Sequence, residues 1–196
     1  MCMNYPAHPA LTDFPITTII QNRWSPVIFD PAPLSDVEVG SLFEAARWGP
    51  SCYNEQPWRF VYAQKGDNGR KEIEGLLAEG NSWAKNAGML IVSFGKKTFT
   101  KNGKLNQYAL FDTGAANMSI TLQAEAMGLI THQMGGFAVD KANDVLGVPE
   151  DFSVGSMMAV GKPGTMEGAE ETLITRQSSP RSRSPQSAFV FKGHFA

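Results

Sequence analysis

Apolar residues along this chain recur at helical spacing in some stretches and crowd together in others, and the two patterns predict different elements. Residues 16–23 have helical character and end at the Ser25-Pro26 turn signal. Ser35-Asp-Val-Glu38 is a capping box, in which the Ser35 hydroxyl accepts the Glu38 N–H and Glu38 reaches back. The helix it opens is expected over 36–47, with Val39, Leu42, Phe43 and Ala46 on one face and Gly49-Pro50 as the stop. Residues 59–64 read as a strand, and the turn at 65–69 leads into a helix expected over 70–79, with Ile73, Leu76 and Leu77 inward. Residues 89–94 are uniformly apolar, which predicts a strand buried on both faces. The longest helix is expected over 105–127, where Gly114, Ala115 and Ala116 would let another helix approach closely. Gly128 suits its C-cap. Further strands are expected at 130–133, at 152–160 with Gly155 as a bulge position, and at 188–191. Asp140 can cap a short helix ending near Gly147.

Helices outnumber strands and no regular βαβ alternation occurs, so the pattern predicts an α+β fold. Residues 1–15 read as an N-terminal lead-in, 16–176 as the main domain and 177–196 as a C-terminal arm. Residues 161–187 are polar and rich in Gly, Ser and Pro, yet a strand follows them. So long a structureless loop is uncommon inside one compact domain. An arm that crosses to a partner subunit would account for it.

Composition narrows the classes. With 196 residues, 42% of them hydrophobic, the chain builds a real core and about one domain. Seventeen basic against 19 acidic residues leave a formal charge of -2, so no global cationic field exists for nucleic acid or an anionic membrane. Cys2 and Cys52 cannot make a disulfide framework or a multi-thiolate zinc site, and His8, His132 and His194 are too scattered for a local metal pair. No stretch approaches the ~20 apolar residues of a membrane helix, and residues 1–15 lack a basic then apolar leader. The expectation is a cytoplasmic protein without bound metal.

No nucleophile elbow, Walker phosphate loop or dinucleotide glycine fingerprint occurs, so no catalytic side chain is expected. Three polar segments remain. Asn22-Arg23-Trp24-Ser25 offers a guanidinium fork and a hydroxyl to an anion, or Arg23 is a solvated helix-end arginine. Residues 45–60 hold Asn54 and Gln56 between Pro50 and Pro57, where amides suit the mixed edges of a heteroaromatic ring or bond local backbone. In Pro180-Arg-Ser-Arg-Ser-Pro185, two arginines two residues apart point the same way if extended, as a phosphate clamp or a solvated linker.

Together, in this order, these segments resemble the FMN-dependent nitroreductase-like flavoproteins, from about Ile16 to Phe195. Arg23-Trp24-Ser25 resembles the family's opening motif. GPSCYNEQPWRF at Gly49–Phe60 resembles its P-S-x-x-N-x-Q-P-W motif, and MGGF at Met134–Phe137 the segment beside the flavin. EAMGL resembles the end of its dimer helix, and PRSRSP its C-terminal phosphate clamp.

The resemblance implies a small, mostly antiparallel sheet wrapped by helices, in a homodimer that exchanges a C-terminal strand and holds FMN at its interface. It gives Arg23, Ser25, Arg181 and Arg183 to the phosphate and ribityl chain, with Trp24 as a neighbouring contact. Met134, Gly135 and Gly136 would lie along the ring. Pro50, Ser51, Cys52 and Asn54 would reach the partner's flavin, with Gln56, Pro57 and Trp58 shaping that loop. NADH or NADPH would deliver hydride to N5, and a nitroaromatic, quinone or similar small electron-poor acceptor would remove it by a ping-pong mechanism. The other readings are a different flavin reaction on the same fold, such as desaturation, dehalogenation or flavin fragmentation, and a non-enzymatic flavin or ligand binder. Residues 95–110 are expected to cover the flavin. Val27 and Trp83 stand where family members carry basic residues near the N1–C2 edge, with Lys85 close by in sequence.

Overall fold

The computed structural model describes residues 7–195. Cys2 therefore lies outside the described residues. The sheet has five strands: β1 (Phe29–Asp30), β2 (Trp58–Gln64), β3 (Met89–Lys96), β4 (Ile130–Met134) and β5 (Phe152–Pro163). β5 is the axis. β3 pairs along one of its sides, β4 and then β1 along the other, and β2 lies outside β3; every pairing is antiparallel. The architecture is the α+β arrangement expected from the pattern.

The apolar run in β3 is buried on both faces because the sheet has a core on each side. Met89 and Ile91 join Met158 and Val160 of β5 under α2 (Asp36–Arg47) and α4 (Ala109–Ala126). Leu90, Val92 and Phe94 join Met157 and Ala159 in the opposite core, with Val27, Phe29, Ile73 and Trp83. One-residue alternation thus feeds two cores from one strand. Between Val92↔Met157 and Phe94↔Val154, Ser93 faces two residues, Gly155 and Ser156. This is a bulge, as expected at Gly155. A Cβ there would lie 2.7 Å from Ser93 Oγ, so the close approach requires glycine.

α2 spans Asp36–Arg47, with both halves of the capping box formed. Other boundaries move for tertiary reasons. α3 covers only Arg70–Gly75, because Leu76–Ala78 turn to bond the backbone of Gly136 to Ala138. A 3-10 segment, Glu79–Asn86, follows. α4 starts at Ala109 rather than 105, because Thr98 pairs with Leu105 and the Asn106 side chain accepts the Tyr108 N–H at 3.1 Å. Asp140 is inside the first turn of α5 (Val139–Val145), whose N-cap is Ala138.

The polar segment 161–187 is not structureless. It contains α6 (Glu171–Ser178), which packs Leu173 and Ile174 against the core holding Trp83. The strand expected at 188–191 does not form within the chain. Phe189 and Val190 are exposed beyond a short turn, Gln186–Ala188, because a strand needs a neighbouring backbone and the arm meets none in its own subunit.

Candidate functional site

α1 (Thr18–Asn22) delivers the chain to Arg23, whose Nη1 donates to Ser25 Oγ at 3.3 Å. Arg181 reaches the same segment from the C-terminal arm. Its guanidinium donates to the carbonyls of His8, Gln21 (3.1 Å) and Arg23 (2.9 Å). Arg181 therefore fixes the backbone of 21–23 as well as adding charge to it. Trp24 packs 4.6 Å from the His8 ring. Arg183 is exposed and, among the described residues, donates only to its neighbour's carbonyl, Ser182 O, at 2.7 Å.

The electrostatics show that the three arginines converge. Burial lowers the Arg23 pKa, and the charges of Arg181 and Arg183 lower it further. Arg181 is lowered first by burial and then by Arg183. Among the described residues the opposing carboxylate is Glu125, near the end of α4, and its own pKa is raised by burial despite Arg23 and Arg181. No ion pair joins Glu125 to either arginine among the described residues. A multiply charged oxyanion would relieve this surplus through charge-assisted hydrogen bonds.

Residues 51–57 are built differently. Cys52–Asn54 form a 3-10 turn, and Tyr53, Asn54 and Gln56 have φ of 51°, 57° and 51°. A left-handed backbone costs a non-glycine residue on the order of 1 kcal/mol, least for Asn. Hydrogen bonds hold the shape. Ser51 Oγ accepts the Gln56 N–H at 3.1 Å, and the Gln56 amide donates to Asn54 O at 2.9 Å. Asp112 Oδ2 accepts the Cys52 N–H at 3.0 Å, and Glu55 accepts the Thr100 N–H at 2.7 Å. The last bond ties the loop to the hairpin at 97–106, inside the segment expected to cover a ligand. Tyr53 and Asn54 remain exposed, Pro50 is exposed, and Ser51 and Cys52 are half-buried.

Met134 closes β4 and is buried, whereas Gly135 and Gly136 are exposed. A Cβ at Gly135 would have no heavy atom within 4 Å, so the backbone there is open to a flat group. Gly136 O is fixed by Asn81 Nδ2 (2.9 Å) and by the Ala78 N–H (3.2 Å).

One chain does not unite these groups. Asp112, beneath the 51–57 loop, and Glu125, beside the arginines, are separated by about 20 Å at 1.5 Å per residue along α4. Pockets of about 290 Å³ beside Arg181 and Arg183, and about 240 Å³ beside Trp24 and Glu125, are at or below the small end of ligand cavities.

The expectation for Val27 requires correction. Val27 is 2% exposed in the core behind the arginine segment, and its N–H and that of Ile28 donate to Gln177 Oε1, both at 3.0 Å. Trp83 is also buried, stacked near Phe29 and His132, with the Arg176 guanidinium 5.3 Å from its ring. His132 Nδ1 donates to Pro26 O at 2.8 Å, and burial holds the ring's pKa below the ordinary value. Gln177, Arg176 and Asp112 escaped sequence reasoning. The polar content around α6 hid the first two, and Asp112 resembles any first-turn acid of a helix. Among the described residues, no group of three or more acidic, His or Cys side chains could hold a metal ion.

A sequence model described as the Nitroreductase family matches residues 20–82 and 78–162. The chain is 31% identical over 145 residues to the 15.4 kDa protein of the ask 5′ region of Mycolicibacterium smegmatis, covering 70% of this chain and 97% of that one. It is 26% identical over 153 residues to a protein of Archaeoglobus fulgidus whose proposed name is NADH dehydrogenase/NAD(P)H nitroreductase, covering 74% and 83%. A crystal structure described as the oxidoreductase containing FMN superposes with a TM-score of 0.89 and 33% identity, over 95% of this chain and 96% of that one.

Proposed function

The chain belongs to the Nitroreductase family, and from that premise we propose that it is an FMN-dependent oxidoreductase. It takes hydride from NADH or NADPH and reduces a nitroaromatic, quinone or similar electron-poor small molecule in two half-reactions at one site. The observation that carries the reading is the grouping of Arg23 and Arg181, joined by the Arg181 bond to Arg23 O, with Arg183 lining the same pocket as Arg181 and Glu125 beside the first two without an ion pair among the described residues. That donor set fits a phosphate monoester such as the end of FMN.

Arg23, Ser25 and Arg183 would hold the phosphate and ribityl chain, while Arg181 keeps 21–23 in place and adds its charge. Trp24 packs beside them. Met134, Gly135 and Gly136 would lie along the flavin, where the open backbone at Gly135 leaves room for a planar ring. When bound, FMN supplies an N5 position that accepts and releases hydride.

Pro50, Ser51, Cys52 and Asn54 would serve the site of a second copy, because they stand at the other end of α4 from the arginines. A homodimer is also supported by the outward face of α4, where Phe111, Gly114 and Met118 form an exposed stripe at helical spacing. The outer edge of β2, which among the described residues pairs only with β3, offers a place for residues 188–191 of the partner. No helix among the described residues is long and apolar enough to cross a membrane, and the proposed location is the cytoplasm.

Anaerobic titration of the purified, full-length protein tests the reading. Yellow protein bleached by NADH or NADPH and recoloured by a quinone is expected. A flavin bleached only by dithionite would overturn the nicotinamide role, and a protein that takes up no FMN would overturn the cofactor assignment.

A further inference from the structure

Asp112 is 3% exposed, yet no arginine, lysine or histidine forms an ion pair with it among the described residues. Burying a carboxylate this way is unfavourable unless hydrogen bonds compensate it. Its bond is to the Cys52 N–H at 3.0 Å, 60 residues away in sequence. Cys52 opens the turn in which Tyr53 and Asn54 adopt left-handed backbone. Ser51 enters this turn extended, with φ −147° and ψ 153°. The buried carboxylate therefore grips the N–H of the residue immediately before the backbone turns left-handed at Tyr53. Ser51 Oγ on Gln56 and Glu55 on Thr100 hold the far side of the loop, and Asp112 ties its beginning to α4.

We propose that Asp112 is a positioning residue for cofactor binding, acting through the Cys52 N–H to hold residues 51–54 in the shape that meets the flavin of the partner subunit. The proposal rests on the FMN and homodimer reading above. A rigid helix carries the clamp, so the loop is pre-organised before the cofactor arrives, and FMN affinity does not have to supply the ordering.

The test is a double-mutant cycle on the full-length protein, with FMN dissociation read by flavin fluorescence. Asp112→Ala removes the acceptor. Cys52→Pro removes the donor, and the extended Ser51 is already compatible with a following proline. Each single variant is expected to weaken FMN binding at least tenfold, and the double variant no more than either. Asp112→Asn, which retains an acceptor oxygen, is expected to restore affinity to within about threefold of wild type. Additive losses, or an Asn variant as weak as the Ala variant, would overturn the proposal, as would wild-type affinity in Asp112→Ala. Hydrogen exchange in 51–57, measured after FMN removal, reads the clamp separately. Faster exchange confined to this loop in Asp112→Ala supports it, and if Asp112→Ala is too unstable for binding work the same local comparison is read in Cys52→Pro. Unchanged exchange overturns it. If wild type binds no FMN, the cofactor reading fails and the clamp loses its assigned purpose, whereas FMN binding unaffected by Asp112 sinks this proposal alone.

Discussion

At the N-terminal end of α4, residues 51–57 are held by hydrogen bonds within the loop and to Asp112 and Thr100, which keep three left-handed residues in place. At its C-terminal end, Arg23 and Arg181 stand beside Glu125 with no ion pair to it among the described residues, and Arg183 stands next to Arg181. The first region stores backbone strain and spends hydrogen bonds to keep it. The second stores electrostatic repulsion and leaves part of its bonding capacity open. Strain of the first kind shapes a surface, and repulsion of the second kind attracts an anion. The contrast shows two ways in which a chain can prepare for a ligand without containing it.

The largest expected effect tests where the arginine region ends. Val27 belongs to the core behind it, so Val27→Lys should bury an unpaired charge and destabilise the protein by roughly 3–5 kcal/mol. Thermal denaturation would show a loss on the order of 10 °C for a chain of this size. A variant of unchanged stability would move Val27 from the core to the site surface.

Arg183→Ala should remove an exposed, charge-assisted contact worth about 1.5–3 kcal/mol, or about 10–150-fold in FMN affinity. Stability without flavin should hardly change, because among the described residues Arg183 is exposed and bonds only its neighbour's carbonyl. Equal losses of fold and affinity would erase the distinction between the open region and the internally bonded loop.

Gln177→Leu should leave the Val27 and Ile28 N–H groups buried without their acceptor, and lower stability by about 2 kcal/mol in urea denaturation. The arginine segment lies just before these residues, so a weaker grip on FMN should accompany that loss. Stability equal to wild type would show that the staple between α6 and residues 27–28 does not support the site.

The smallest effect is on the strained side. Asn54→Gly relieves a φ of 57° and should raise stability by no more than about 0.5 kcal/mol. The same change deletes the amide proposed to face the flavin, so FMN affinity should fall while the denaturation midpoint holds or rises slightly. A clear loss of stability would mean that the Asn54 side chain, and not the cofactor, is what its backbone geometry serves.

The capping box placed α2 correctly, and the apolar crowding at 89–94 revealed a strand with a core on both faces. Both signals are local: one is a four-residue motif, the other a run shorter than ten. α6 was hidden because its buried face is narrow, with Leu173, Ile174 and Gln177 in a segment otherwise polar. The late start of α4 and the early end of α3 depend on backbone bonds to distant segments, which no local window contains. The order of the motifs made the candidate residues legible, but not which of them meet.

The sequence by itself determined the α+β class, the two-faced burial of β3 and the identity of the arginines and amides that stand at the candidate site. The class and the burial follow from periodicities of 2 and 3.6 residues, and the arginines and amides from the family resemblance that the order of their motifs carries. Only the tertiary structure decided that Val27 is core, that Arg181 is half committed to backbone carbonyls, that Asp112 holds the 51–57 loop, and that the loop and the arginines lie about 20 Å apart on α4. Each of these depends on which distant groups share a small volume, and burial and hydrogen-bond partnership are properties of that volume rather than of any residue's neighbours in the chain.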